Sequence, residues 1–446
     1  MRILVVSWFF PPANTIGALR VGRMVQYLLD QDHDVRVLTA RDIPHMQTMT
    51  LDIPEYRVLR SRWLDLNAAP KAAARLRNAL RDRLTGKPGT QTGSASSGAG
   101  SATVPAPARK GVLGRAMSTL GGLYGDILNF PDAAAAWILF GSRDGHRLLK
   151  TWKPDAIFAT GPMFSGLVIG HILAKRHGVS WVAELRDRWS DDPYTSSATW
   201  RHRIASALER RILRGTAGIG TVSEPWARVY RATYGKPTLV MYNGYDPADF
   251  PEPGAGSPDS PKLRIVHTGH IYTGRRDPTA LFKAVRLLGP EAEQVSMLFL
   301  GAKESDVLPL AQAEGVAACL EPCRQVPYAE ALKEQARADI LLLMQWNNPR
   351  EQGNVPGKLF EYLAIRRPIL GLGIEDGVPA TIIGERGAGL YCNDPERIAA
   401  HLRQWIEIKR SAGQIAALPD SVSEGLTRDR QFAKLPAFLA EILKSP

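Results

Sequence analysis

Short runs rich in Val, Ile and Leu recur along this chain, each followed by a longer stretch with helical spacing, and that alternation restricts the fold more than any other feature. Parallel strands need a long crossover between neighbours, usually a helix, so the pattern reads as successive βαβ units. The first series of strands is predicted at Ile3 to Ser7, Asp34 to Thr39, Asp155 to Thr160, Ser180 to Glu184, Gly218 to Val222 and Thr238 to Tyr242. The pattern then stops at residues 251–262, PEPGAGSPDSPK, whose Pro, Gly and Ser content predicts an exposed connection. A second series follows at Leu263 to Thr268, Val295 to Leu300, Asp339 to Met344, Pro368 to Leu372 and Ala388 to Tyr391. With 446 residues the chain exceeds what one core organises. The expectation is therefore an α/β protein with two Rossmann-like parallel-sheet domains, residues 1–252 and 263–422, followed by a helical segment over 423–446.

Several classes are disfavoured. The opening MRILVVSWFFPP is broken by Pro11 and Pro12 and has no small-residue cleavage site, so it reads as a first strand and points to a cytoplasmic protein. The uncharged stretch from Ala156 to Ala174 is interrupted by Gly161, Pro162, Ser165 and His171, which predicts a buried strand, a turn and a helix in place of a membrane span. Cys319, Cys323 and Cys392 fit no zinc or redox spacing. A net charge of +12 favours acidic partners, among them phosphorylated small molecules and anionic lipid. Nucleic acid is not expected, because the chain lacks an aromatic and basic reading surface.

Residues 61–120 form a basic, partly disordered insertion in the first domain. Within it the segment 86–109 is low in complexity and predicts a mobile loop. Just before it, PKAAARLRNALRDRL aligns Leu76, Leu80 and Leu84 on one helical face, flanked by Arg77 and Arg83. Two readings stand for this helix: one resting on an anionic membrane surface, and one packed on the protein with a solvated outer face.

Ligands in open α/β sheets bind at the carboxyl ends of the strands. After the first strand, PPANTIGALR offers Gly17, where backbone can approach a ligand, and Arg20 in the following helix. Neither a G-x-G-x-x-G dinucleotide motif nor a P-loop is present there. In GNVPGKLFEYLAIRRPIL a Gly-rich loop runs straight into a helix, so the backbone N–H groups of Asn354, Val355 and Gly357 are placed to meet an anion. Lys358 adds a full positive charge, and Glu361 projects on the same side at i+3, suited to ribose hydroxyls.

This segment resembles the donor loop of the family 4 glycosyltransferases, retaining enzymes of the GT-B architecture. The resemblance extends to FFPPANTIGALR, SWVAELRDRWSDDPY, TVSE, YNGYD and HTGHIYTGRRDP, so it covers nearly the whole chain outside residues 61–120. It implies two Rossmann-like domains facing across a central cleft, with the last helix crossing back onto the first. It also implies that Arg275 or Arg276 joins Lys358 in neutralising a diphosphate, with no metal and no cofactor required. Gly269 and His270 lie in the turn of the donor side, where His270 either reaches sugar or phosphate or caps and packs the turn. On the acceptor side it marks Gly17, Arg20 and Arg186, with Asp187 orienting the acceptor hydroxyl or acting as its base. Relatives carry a Glu-x7-Glu pair whose second member falls on Glu361 and whose first falls on Gly353. The backbone of Gly353 to Pro356, or Glu351, is then left to serve the sugar. Arg188 also stands where relatives have Pro.

The functional expectation is transfer of a glycosyl residue from a nucleotide diphosphate sugar to a hydroxyl of a glycan or lipid-linked acceptor, with retention. A cell-envelope glycan at the inner face of the cell membrane suits it. The competing expectation, motivated by Gly353, is a non-catalytic nucleotide-sugar-binding or scaffolding subunit of a polysaccharide assembly system.

Overall fold

The computed structural model describes residues 1–68, 128–191, 199–250 and 260–444. The helix read at 70–84, the segment 86–109 and most of the 251–262 connection lie outside the described residues. The chain divides into two compact units. The first comprises Met1–Thr221, Val229–Leu239 and Leu435–Pro446, and the second Val222–Arg228 with Val240–Lys434.

Unit 1 is built on a seven-stranded sheet: β1 (Arg2–Ser7), β2 (Asp34–Ala40), β3 (Val58–Ser61), β4 (Ala156–Gly161), β5 (Ser180–Leu185), β6 (Gly218–Thr221) and β7 (Thr238–Val240). The order is β3-β2-β1-β4-β5-β6-β7, and β3 through β6 pair in parallel. Its helices are α1 (Ile16–Asp30), α2 (Trp137–Thr151), α3 (Ser165–His177) and α4 (Trp200–Arg214), while α5 (Glu224–Tyr234) contributes residues to both units. β1 and β4 are buried along nearly their whole length, as central strands covered on both faces must be. The order reverses between β1 and β4, which opens a crevice at their carboxyl ends. α1 starts there because Thr15 caps it, its hydroxyl accepting from the Ala18 amide at 3.1 Å.

Unit 2 carries β8 (Leu263–Thr268), β9 (Val295–Leu300), β10 (Ile340–Met344), β11 (Ile369–Leu372) and β12 (Gly389–Tyr391), ordered β12-β11-β10-β8-β9 and parallel throughout. The accompanying helices are α6 (Thr279–Leu287), α7 (Glu304–Ala313), α8 (Tyr328–Ala336), α9 (Gly357–Ile365), α10 (Val378–Glu385), α11 (Pro395–Ala412) and α12 (Arg428–Phe432). Each face of the sheet has its own core: Phe282, Val285 and Leu402 lie on one side, and Leu332, Leu359 and Leu363 on the other. Here the order reverses between β8 and β10. The last helix, α13 (Lys434–Lys444), supplies unit 1 with Phe438, whose ring lies 2.7 Å from where a Cβ on Gly218 would stand. Gly218 thus admits the ring at the start of β6.

The uncharged stretch from Ala156 to Ala174 folds as β4, a turn and most of α3. No helix among the described residues is long and apolar enough to cross a membrane.

Candidate active site

In unit 2 the loops following β8 and β10 meet beside the start of α9. β8 ends on Thr268, and the next residue, Gly269, has φ of 128°, a conformation that side chains oppose. Its amide donates to the Leu300 carbonyl at 2.6 Å, closing the turn toward β9. Two buried polar groups hold the end of β8: Gln335 donates to Thr268 Oγ1 at 3.0 Å, and Tyr362 Oη lies 3.4 Å from both the amide and the hydroxyl of Thr268. Since Tyr362 belongs to α9, this network ties that helix to the β8 turn.

Lys358, in the first turn of α9, extends its amine against Gly269. It forms no ion pair with a described residue. Burial pulls its pKa down to about 8; Glu361 opposes that shift and the Arg276 charge adds to it. Glu361 turns toward α8, where Tyr328 donates to Oε1 at 3.1 Å. Burial raises the Glu361 pKa against the hydrogen bond from Tyr328 and the charge of Lys358. Beneath the turn, His267 donates from Nδ1 to the Leu342 carbonyl at 2.9 Å, and burial followed by the charge of Lys358 lowers its pKa to about 3. His267 is therefore a neutral imidazole at any physiological pH.

Arg275 and Arg276 leave the same turn toward the β10 loop. The Arg275 guanidinium stacks over Trp346 at 4.8 Å, and Arg276 lies 3.7 Å from the carboxylate of Glu351. Glu351 is wholly buried and accepts from Asn354 Nδ2 at 2.6 Å, while the Asn354 carbonyl accepts from Gln345 at 3.0 Å. Its second oxygen, Oε1, has no hydrogen-bond partner among the described residues. Tyr391 donates to Gln345 at 3.1 Å and so completes the underside of the loop. Gly353 packs against the indole of Trp226, which occupies the space a side chain at 353 would need. Val355 is buried, whereas Gly357 has open space where a Cβ would project. His270 is exposed, its ring 6.5 Å from that of Tyr272.

Unit 1 has its own cluster at the β1/β4 crevice. Arg20 on α1 is buried and pairs with Glu184 of β5 at 2.8 Å, and the Thr160 hydroxyl donates to the same carboxylate at 2.6 Å. Burial alone would raise the Glu184 pKa, but the charges of Arg20 and Arg186 outweigh it and hold the carboxylate low. Arg186 donates to the carbonyls of Gly161 and Pro162 at 3.0 and 3.3 Å. A Cβ on Gly17 would stand 3.4 Å from its guanidinium, so the glycine lets α1 pass close by. Asp187 follows on the exposed side, and Arg188 turns back to Asp191. Phe164 stacks on Trp189 at 4.9 Å, closing the loop after β5 on the turn after β4.

The structure thus brings Gly269, Arg275, Arg276, Asn354, Lys358 and Glu361 together in one unit and Gly17, Arg20, Arg186 and Asp187 in the other. Arg20 sits beneath the surface as the partner of Glu184. His267, Tyr328, Gln335, Gln345 and Trp346 join the site without being marked by the sequence motifs. Gln345 and Trp346 carried a usable signal, because they directly follow a predicted strand. Among the described residues, no group of three or more His, Cys, Asp or Glu is placed to hold a metal ion.

Two parallel sheets with reversed strand order, each with a polar cluster at its switch point, define a GT-B protein. The family described as "Glycosyl transferase 4-like domain" matches residues 17–246, about half of the chain. The chain belongs to this family and is a glycosyltransferase. No curated protein matches the sequence. Among solved structures, it resembles HepE of Anabaena in complex with UDP and glucose, with a TM-score of 0.57 at 13% identity over 99% of this chain and 100% of the other. It also resembles the sucrose-phosphate synthase of Thermosynechococcus elongatus, with a TM-score of 0.59 at 13% identity over 100% of both chains. A third is WaaG, a glycosyltransferase involved in lipopolysaccharide biosynthesis, with a TM-score of 0.51 at 14% identity over 100% of both chains.

Proposed function

We propose that the protein transfers a glycosyl residue from a nucleotide diphosphate sugar to a hydroxyl of a glycan or lipid-linked acceptor, with retention, in the synthesis of a cell-envelope glycan. The observation that carries this reading is the convergence of Lys358, Arg276 and the amino end of α9 on one turn at the switch point of the second sheet. A diphosphate seated there meets backbone N–H groups, a helix dipole and two cations. As the glycosidic bond breaks, negative charge grows on the leaving diphosphate, and these fixed groups stabilise it without a metal. HepE, crystallised with UDP and with UDP-glucose, supports a donor of this chemistry.

Glu361, one turn beyond Lys358, accepts hydrogen bonds from ribose hydroxyls, and Glu351 with Asn354 lies on the sugar side. In unit 1, Arg186 and Asp187 orient the acceptor, and the leaving phosphate takes the acceptor proton. The likeness to WaaG, a glycosyltransferase involved in lipopolysaccharide biosynthesis, supports an envelope glycan.

The test is thermal stabilisation by a panel of UDP, GDP, dTDP and CMP sugars, using the wild type, Lys358→Ala and Glu361→Ala. A donor at 100 times its Kd stabilises by about 2.7 kcal/mol. One nucleotide class is expected to stabilise the wild type and neither variant. Equal behaviour of all three proteins contradicts the proposed donor site.

A further inference from the structure

At the opposite end of the unit 1 sheet, where α3 and α4 finish and β5, β6 and β7 begin, lies a cavity of about 660 Å³. Four cationic side chains line it: Lys175 from the last turn of α3, Arg211 and Arg214 from the last turn of α4, and Lys236 from the approach to β7. No Asp or Glu lines it, and none of the four forms an ion pair with a described residue. Trp181 and His171 form part of the wall. The His171 Nδ1 is buried without a hydrogen-bond partner among the described residues, and the imidazole loses basicity first through burial and then through the charges of Lys175 and Arg211. The charges of two helices therefore bear on one ring.

Cations commonly collect at helix carboxyl ends, where each helix presents roughly half a negative charge. Two such ends supply about one unit, against four positive side chains without carboxylate partners. The remaining positive potential is available to a ligand.

We infer that this cavity is a second anion site that binds the phosphate group of a phosphate ester, remote from the loops that handle the transferred sugar. β5 alone separates its mouth from Arg186 by on the order of 17 Å of strand. Two sources present the required chemistry, a soluble phosphate compound and the headgroup of an anionic lipid.

The test uses the full chain carrying Lys358→Ala, so that phosphate binding by the donor loop is weakened. Onto it are placed either Arg211→Ala/Arg214→Ala or, as a control on the same helix outside the cavity, Arg203→Ala/Arg210→Ala. Pyrophosphate binding is read by calorimetry at low salt. Vesicle binding is read by co-sedimentation with phosphatidylglycerol in phosphatidylcholine, against phosphatidylcholine alone. The expected result is binding of at least one probe that weakens about tenfold or more in the cavity variant and much less in the control, the responding probe identifying the source. If the Lys358→Ala protein binds neither probe, or cavity and control variants weaken alike, the second site does not exist. That outcome leaves the donor-site reading untouched, because the donor loop plays no part in it.

Discussion

The amine of Lys358 lies against the α-carbon of Gly269, in the space a Cβ would fill. The glycine is thus required twice, once by its φ of 128° and once by the lysine. Gly269→Ala is expected to cost about 1–3 kcal/mol of stability, the range for strained backbone, and to displace the amine from the diphosphate position. Gly357→Ala makes the contrast. It has open space for a methyl group and sits at the first position of α9, so it should stabilise by about 0.4–1 kcal/mol while still crowding a ligand held by the helix end. Thermal melts with and without a nucleoside diphosphate check both: the first variant loses stability and binding, the second loses binding alone.

The lowered pKa of Lys358 gives donor binding a pH dependence of known sign. In the unfolded chain the amine keeps its proton until about 10.5; in the folded chain it loses it near 8. Between those values the unfolded state binds more protons, so this group makes folding more favourable as pH rises. A bound diphosphate has the opposite preference, because it favours the ammonium. Nucleoside diphosphate affinity should therefore fall as pH rises through about 8, by up to about tenfold per unit, while Lys358→Arg should flatten the profile. Calorimetry from pH 6.5 to 9.5 decides it; a flat wild-type curve would show that Lys358 does not touch the phosphates.

Glu351 is buried against Arg276 and Asn354, where it fixes the direction of the guanidinium. Glu351→Gln keeps the shape and the hydrogen bond to the loop but removes the charge. Its expected signature is a kcat reduced more than tenfold with KM little changed, because charge on the leaving group develops only in the transition state. A rise in KM with unchanged kcat would assign Glu351 to ground-state binding instead.

In unit 1 the Arg20 and Glu184 pair should behave as a coupled buried unit. Glu184→Ala strands a buried guanidinium and should cost about 3–5 kcal/mol, whereas Arg20→Met with Glu184→Leu should cost clearly less than the sum of the singles. The low pKa of Glu184 also fixes the direction with pH: its contribution is present above the ordinary carboxylate range and is lost as pH falls through the folded value. Denaturation of Glu184→Ala, of the singles Arg20→Met and Glu184→Leu and of their double, with a wild-type series from pH 7 to 3, measures both effects.

The two-sheet architecture could be read from the sequence because buried parallel strands carry their signal locally. β8 and β9 were placed to the residue, the boundaries of β1, β2 and β5 moved by one residue at one end, and β4 moved by one residue at both. β3 escaped because VLRS is a short edge strand, half buried and bearing an arginine. Lys358 was legible as a helix-start residue, whereas Arg275 and Arg276, well past the end of β8, were pointed to only by the family resemblance. His267 was not, since a histidine within an apolar run looks like any other strand position. The depth of Arg20 was hidden too, because its partner Glu184 lies 164 residues away and no local pattern announces the pairing. Nor does sequence spacing reveal that the indole of Trp226 fills the place beside Gly353.

In the proposed reaction, Lys358 and Arg276 draw a nucleoside diphosphate away from a sugar. The most direct test is release of nucleoside diphosphate from each of a set of nucleotide sugars without acceptor, with the anomer of the freed sugar followed by NMR. Slow release from one donor class is expected, the freed sugar keeping the anomeric configuration of the donor, with a fall of at least about a hundredfold in Lys358→Ala. Release at equal rates from wild type and Lys358→Ala, or none from any donor, would contradict it and favour a nucleotide-sugar-binding scaffold.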